Sequence, residues 1–213
     1  MPKLKVLLCP VTPFQQNCSI VIDEESNKAA VVDPGGDVGR LLEVIKQAGV
    51  TVEKILLTHG HIDHAGGAAE LRAALSVKIE GPHLDDLFLL ENLPQSGARF
   101  GMLDARAVTP DRWLADGDEV TVGGLSFKVI TAPGHSPGSV VYYNAENRFA
   151  LMGDVLFQGS VGRTDLPGGD HATLLRSIRE KVLPLGDDVV FLPGHGNASH
   201  IGDERLNNPF LSG

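Results

Sequence analysis

Two β-sheets packed face to face with helices outside, an α/β architecture, is the fold this chain predicts. Three observations carry that expectation. Short apolar runs bounded by turn residues fall into two β-rich halves, helical segments are interleaved with them, and several runs end on a glycine followed by one polar residue.

Taken in order, Lys3–Leu8 starts basic and turns apolar. Its run is too short for a secretory core and is closed by Pro10 and Pro13, so it reads as a first strand and not a leader. Ser19–Ile22 and Ala29–Val32 are further strands separated by turns. Val38–Ala48 carries Val38, Leu41, Leu42, Ile45 and Ala48 at helical spacing and stops at Gly49, a residue suited to a helix C-terminus. Lys54–Leu57 is a buried strand leading to Thr58, and Ala65–Leu75 is a small-residue loop that opens a helix. Residues 81 to 118 lack a clear period and predict a short helix in a long excursion. The second half has strands at Val120–Val122, Leu125–Ile130, Val140–Tyr143 and Phe149–Met152, with Gly123-Gly124 as a hairpin turn between the first two. A helix over Ala172–Leu183, with Asp170 as its cap, and a buried strand at Val189–Leu192 complete the pattern. No repeat, low-complexity tract or linker divides the chain, so residues 1–213 are expected to form one domain.

Composition excludes several classes. The formal charge of −9 argues against a sequence-independent nucleic-acid binder, which needs a basic face. No stretch approaches the roughly 18 apolar residues of a membrane span. Cys9 and Cys18 are too few for a disulfide framework and fit two reduced, buried residues, so a cytoplasmic setting is expected.

The segment Thr58-His59-Gly60-His61-Ile62-Asp63-His64 concentrates four metal-ligand side chains at the turn from a strand to a helix. Three later strands repeat one design, ending at Pro133-Gly134-His135, Gly153-Asp154 and Pro193-Gly194-His195. Each polar residue follows a glycine, which lets the backbone turn sharply beside a bulky ion. Strands that finish on one edge would gather His59, His61, Asp63, His64, His135, Asp154 and His195. Seven ligands exceed the needs of one tetrahedral zinc and suit two cations that share a bridging carboxylate. His83, His171 and His200 lack this context and read as surface or capping residues.

These motifs, in this order and spacing, resemble the metallo-β-lactamase superfamily and, within it, the glyoxalase II-like hydrolases. The likeness runs from Asn17-Cys18-Ser19 and Val32-Asp33-Pro34-Gly35-Gly36 to Glu204-Arg205-Leu206-Asn207-Asn208-Pro209-Phe210. It implies an αββα sandwich of two mixed sheets with the site on one edge. It also implies that His59, His61 and His135 hold a first metal, that Asp63, His64 and His195 hold a second, and that Asp154 bridges them. Zinc is the first expectation for the two divalent ions, with iron or manganese as alternatives. The activity implied is hydrolysis of a thioester such as S-D-lactoylglutathione, giving D-lactate and glutathione, by a metal-bridging hydroxide that Asp63 orients. Such a reaction has a small-molecule substrate and needs no nucleic-acid or membrane partner.

The chain departs from full-length members in several places. Only residues 196–213 follow His195, so no C-terminal helical glutathione-binding domain is expected, and the tyrosine those members carry two positions after the histidine is Asn197 here. Arg163 matches a basic residue near the glutathione glycine carboxylate, but its tyrosine companion is Asp165. The length resembles the short, single-domain branch. The main alternative is a mononuclear iron persulfide dioxygenase, since such enzymes share the fold and a segment like Gly162-Arg163-Thr164-Asp165. A β-lactamase, a nuclease and a nonenzymatic binding module rank below it.

Overall fold

The computed structural model describes residues 3–211. Strands β1 (Leu4–Val11), β2 (Gln16–Asp23), β3 (Lys28–Val32), β4 (Thr51–Leu56) and β5 (Lys78–Glu80) form a first sheet in that order. Its first three strands pair antiparallel and its last three parallel. The second half contributes β6 (Glu119–Val122), β7 (Leu125–Thr131), β8 (Val140–Asn144) and β9 (Phe149–Gly153), then a small ribbon of β10 (Leu156–Phe157) and β11 (Ser160–Val161), then β12 (Val190–Pro193) and β13 (Ser199–His200). The second sheet runs β13-β12-β9-β8-β7-β6 and is antiparallel except where β12 lies parallel to β9.

The strand sequences explain the layering. Alternate side chains leave opposite faces of a strand. In β3, Ala30 and Val32 meet Val120, Val122, Leu125, Phe127, Val129, Val140, Tyr142 and Leu151 of the second sheet, while Ala29 and Val31 face the other way. In β8, Val140 and Tyr142 face the first sheet and Val141 and Tyr143 face outward. Both faces of these strands are buried, so they read as unbroken apolar runs, as strands covered on two sides do.

Helices cover the outer faces. Helix α1 (Val38–Ala48) lays Val38, Leu41 and Ile45 on the first sheet. The short α2 (Ile62–Ala65) and α3 (Ala68–Leu75) follow β4, and α4 (Leu87–Glu91) and α5 (Leu93–Phe100) add Leu90 and Leu93 to the same cluster. Helix α6 (His171–Ser177) and α7 (Ile201–Asn207) cover the second sheet through Leu174 and Ile201. The αββα arrangement is therefore as expected.

Several boundaries differ from the sequence reading. Strand β2 begins at Gln16 rather than Ser19, because buried hydrogen bonds accommodate its polar start. The helix expected over Ala172–Leu183 relaxes after Ser177 into a wide turn at Ile178–Val182 and a 3-10 turn at Leu183–Leu185, where Pro184 has no N–H to extend an α ladder. The excursion 81–118 holds two short helices and covers the first sheet; Leu114 also enters the layer between sheets. Among the described residues no helix is long and apolar enough to cross a membrane.

Tyr142 is fully buried between the sheets, and its hydroxyl donates to the Leu57 carbonyl at 2.7 Å. Replacing Tyr142 with Phe leaves that carbonyl without its donor and is expected to cost about 1–3 kcal/mol in urea denaturation. An unchanged midpoint would show that the hydroxyl carries no stability.

Candidate metal centre

The seven residues expected at the centre converge at the ends of strands from both sheets. His59 follows β4, His61 caps the N-terminus of α2, and Asp63 and His64 lie in its single turn. His135, Asp154 and His195 follow β7, β9 and β12.

Asp33 and Thr58 fix the first loop. Thr58 donates its N–H to Asp33 Oδ1 at 2.7 Å and its hydroxyl to Asp33 Oδ2 at 2.6 Å. The Thr58 carbonyl accepts from Val140 N–H of the second sheet at 2.8 Å, so this residue joins both sheets beside the site. Asn17 performs a similar task for the last loop. Its backbone N–H donates to Gly194 O at 2.7 Å, and its side-chain amide to Pro193 O at 3.0 Å and Gly196 O at 2.9 Å.

Glycine is required at two of the turns. Gly153 has φ +54°, a left-handed conformation. A Cβ on Gly194 would overlap Asp154 Oδ1, so the chain passes closer to that carboxylate than any side chain permits.

Hydrogen bonds set the ring orientations. Thr58 Oγ1 gives its proton to Asp33, so it accepts from His59 Nδ1 at 3.0 Å. His64 Nδ1 donates to Asp33 Oδ2 at 2.9 Å, and His135 Nδ1 donates to the Arg163 carbonyl at 2.7 Å. With Nδ1 in these hydrogen bonds, Nε2 is the nitrogen turned inward, the arrangement by which surrounding groups prepare imidazoles for a metal.

Two groups of ligand atoms result. His59, His61 and His135 each bring one within 4.8 Å of the others, and so do Asp63, His64 and His195. Within the first, His135 Nε2 lies 2.9 Å from His61 Nδ1 and 3.2 Å from His59 Nε2. Within the second, His195 Nε2 is 3.0 Å from Asp63 Oδ2. Asp154 reaches both, with Oδ1 3.3 Å from His64 Nε2 and Oδ2 3.6 Å from His135 and His195 Nε2. Asp33, His59 and His64 also bring side-chain atoms within 4.8 Å of one another, but Asp33 is already engaged by Thr58.

Burial makes these lone pairs costly. His59 and His64 are fully buried and Asp154 is 8% exposed. His61 Nε2, His64 Nε2 and Asp154 Oδ1 are buried without hydrogen-bond partners. His64 Nε2 and Asp154 Oδ1, which face each other at 3.3 Å, fit a bound cation that would offset their desolvation.

The electrostatics divide the centre. Burial, followed by the neighbouring imidazoles, pushes His59 well below the usual histidine pKa; burial and then His135 lower His61 to about 3. These rings stay neutral at physiological pH. Burial also opposes charge on His64, but Asp154, Asp63 and Asp33 outweigh it and raise its pKa well above the ordinary value. His195 is likewise raised, its burial overcome by Asp63 and Asp154. Burial raises the pKa of Asp63 and Asp154, but the facing histidines win and keep both ionised, Asp63 chiefly through His64 and then His195.

Arg163 behaves differently. Its carbonyl orients His135, while its exposed guanidinium makes two 2.7 Å bonds to Asp165. His83, His171 and His200 lie outside the centre, as expected. His83 caps a 3-10 turn by accepting from Asp85 N–H at 3.2 Å, His171 opens α6, and His200 lies between β13 and α7. Cys9 and Cys18 are free and buried. Asp86 and Ser136, which bond around the first histidine group, carry no motif that would single them out.

Because His64 is raised well above the ordinary histidine value, it carries a proton in the metal-free protein near neutral pH, and His195 is shifted in the same direction. That charge stabilises the metal-free fold below pH 6.5, and the stabilisation is lost as pH rises through the raised values. Zinc uptake near pH 7 is therefore expected to release protons, fewer as pH increases. Calorimetric titration in buffers of different ionisation enthalpy measures this. Heats independent of buffer would contradict the charge assignment.

Comparison with known proteins agrees with this geometry. Residues 11–195 match the family model described as the metallo-beta-lactamase superfamily. The chain is 45% identical over 210 residues to a protein from Haemophilus influenzae named hydroxyacylglutathione hydrolase GloC, covering 98% of this chain and 99% of that one. Among solved structures, that of BLEG-1 B3 metallo-beta-lactamase superposes with a TM-score of 0.90 at 38% identity, covering 98% of this chain and all of that one. TTHA1623, solved in a di-iron-bound form, superposes with a TM-score of 0.87 at 36% identity, covering 96% of this chain and all of that one. With the family model matched over residues 11–195 and relatives matched along nearly the whole length, the chain belongs to the metallo-β-lactamase superfamily and is a hydrolase.

Proposed function

We propose that this hydrolase is a dinuclear metal-dependent thioesterase of the glyoxalase II type, acting on S-D-lactoylglutathione or a close relative to give the hydroxy acid and free thiol. The observation that carries the proposal is the pair of ligand groups, His59/His61/His135 and Asp63/His64/His195, with Asp154 between them. The resemblance to GloC along nearly the full length supports the substrate class. Residues 1–213 carry the activity as one domain, and the free buried cysteines support a cytoplasmic setting.

In this reading His59, His61 and His135 would hold one divalent ion and Asp63, His64 and His195 a second, with Asp154 placed to serve either. Zinc is the first choice, and the di-iron form of TTHA1623 supports iron as the alternative. Two such ions supply a water of pKa lowered to about 7 and a Lewis acid for the scissile carbonyl. The protein's own share is orientation. Asp63 would accept a hydrogen bond from the attacking water and aim it. Asp33 keeps His64 in one tautomer, and Thr58 does the same for His59. A thiolate leaves without a protonated partner, so a thioester needs no separate general acid, and none is assigned.

Arg163 is the group proposed to meet the glycine carboxylate of the thiol half. To do so it must exchange its bond with Asp165. An exposed pair of this kind is weak, so Asp165→Asn is expected to lower KM for S-D-lactoylglutathione by about two- to fivefold with little change in kcat. A raised or unmoved KM would remove Arg163 from the binding site.

A second reading is β-lactam hydrolysis, favoured by the likeness to BLEG-1. Thiol release from S-D-lactoylglutathione and turnover of nitrocefin, measured on one metal-replete preparation, separate the two. Fast, chelator-sensitive thiol release with little nitrocefin turnover is expected. The reverse pattern would overturn the thioesterase reading.

A further inference from the structure

Asp86 is a buried carboxylate outside the ligand set, at the end of the 3-10 turn Leu84–Asp86. It has no exposure to solvent, and every hydrogen bond its carboxylate accepts comes from a loop that carries histidines of the first group. Oδ2 accepts Gly60 N–H at 2.8 Å, between His59 and His61. The same oxygen accepts the Ser136 hydroxyl at 2.8 Å, next to His135. Oδ1 accepts Gly138 N–H at 2.6 Å on that second loop.

The packing is equally specific. A Cβ on Gly138 would lie 2.6 Å from Asp86 Cγ, and one on Gly60 would lie 2.8 Å from Leu89 Cβ and 3.2 Å from the Asp86 carbonyl oxygen. Two glycines thus let both loops close on this one side chain and its helix. The loops are distant in sequence, one following β4 of the first sheet and the other β7 of the second. Asp86 connects them through a segment that supplies no ligand itself.

We infer that Asp86 is a positioning residue that sets the separation of His135 from His59 and His61, and so the affinity of the first metal site in particular. The inference rests on the reading of these three histidines as ligands of one ion. It gives the excursion 81–118 a role beyond covering the sheet: its first turn braces the two loops that carry the first histidine group.

The isosteric change Asp86→Asn tests this. An amide has one acceptor oxygen, so its NH2 must face either Gly60 N–H or Gly138 N–H, and one of those backbone bonds is lost. Metal-free wild-type and variant proteins are titrated with Co²⁺, following the d–d absorption of each site, and then with Zn²⁺ in competition. Wild type is expected to fill two sites. In Asp86→Asn one site weakens by about 10–100-fold, with an altered d–d spectrum, while the other is unchanged. Ser136→Ala removes only one of the three bonds and is expected to weaken the same site by less, which keeps the test available if Asp86→Asn fails to fold. Thermal unfolding of the metal-free proteins separates a general loss of stability from a site effect. A folded Asp86→Asn variant with wild-type affinities and spectrum at both sites would overturn the inference and leave the dinuclear reading intact. Equal weakening of both sites would also overturn it. Wild-type protein that takes up no metal would overturn both.

Discussion

The carboxylate of Asp33 accepts three hydrogen bonds, from Thr58 N–H, the Thr58 hydroxyl and His64 Nδ1, and the centre is organised around it. It stands at the end of β3 in a left-handed conformation, φ +53°, and its own N–H is held by the Leu56 carbonyl of the neighbouring strand. One buried carboxyl group therefore fixes where the loop after β4 begins, which nitrogen of His64 faces inward and, through Thr58, which nitrogen of His59 does. A polar group buried this deeply is tolerated only when its lone pairs are used. The acceptors of Asp33 are used by the protein, whereas those of Asp154 are left facing the histidines.

That division explains the rest of the architecture. The two sheets pack mainly through apolar side chains between their inner faces, and their strand ends bring polar residues to one place. Among the polar connections between halves, Thr58 to Val140 and Asn17 to the loop of His195 lie beside the candidate ligands. Asp86 adds a third connection from the helical excursion. The centre is thus preorganised by groups that are not themselves ligands, which limits the entropy a bound ion or substrate must otherwise overcome.

Much of this was legible in the sequence because the chemistry is local. Four candidate ligands fall between His59 and His64, and His135, Asp154 and His195 each follow a glycine at a strand end, so the seven residues that the fold brings together could be named from pattern. Helix α1 was readable to the residue, since its apolar spacing and Gly49 act together. Other features had no local signal. Strand β5 is three residues with one buried side chain, too short for a period, and is specified by pairing with β4. Asp86 is one of two adjacent aspartates, and only the fold distinguishes it from exposed Asp85. Arg163 was assigned by resemblance for its side chain, yet the atom it turns towards the centre is its carbonyl, which no side-chain motif encodes.

The central claim is that two ions occupy this centre in the two ligand groups, and anomalous diffraction from crystals grown with zinc tests it most directly. The account predicts two peaks, one bounded by His59, His61 and His135, the other by Asp63, His64 and His195, with Asp154 in contact with both. A single fully occupied peak, with Asp63 and His195 still paired to each other and touching no metal, would contradict it.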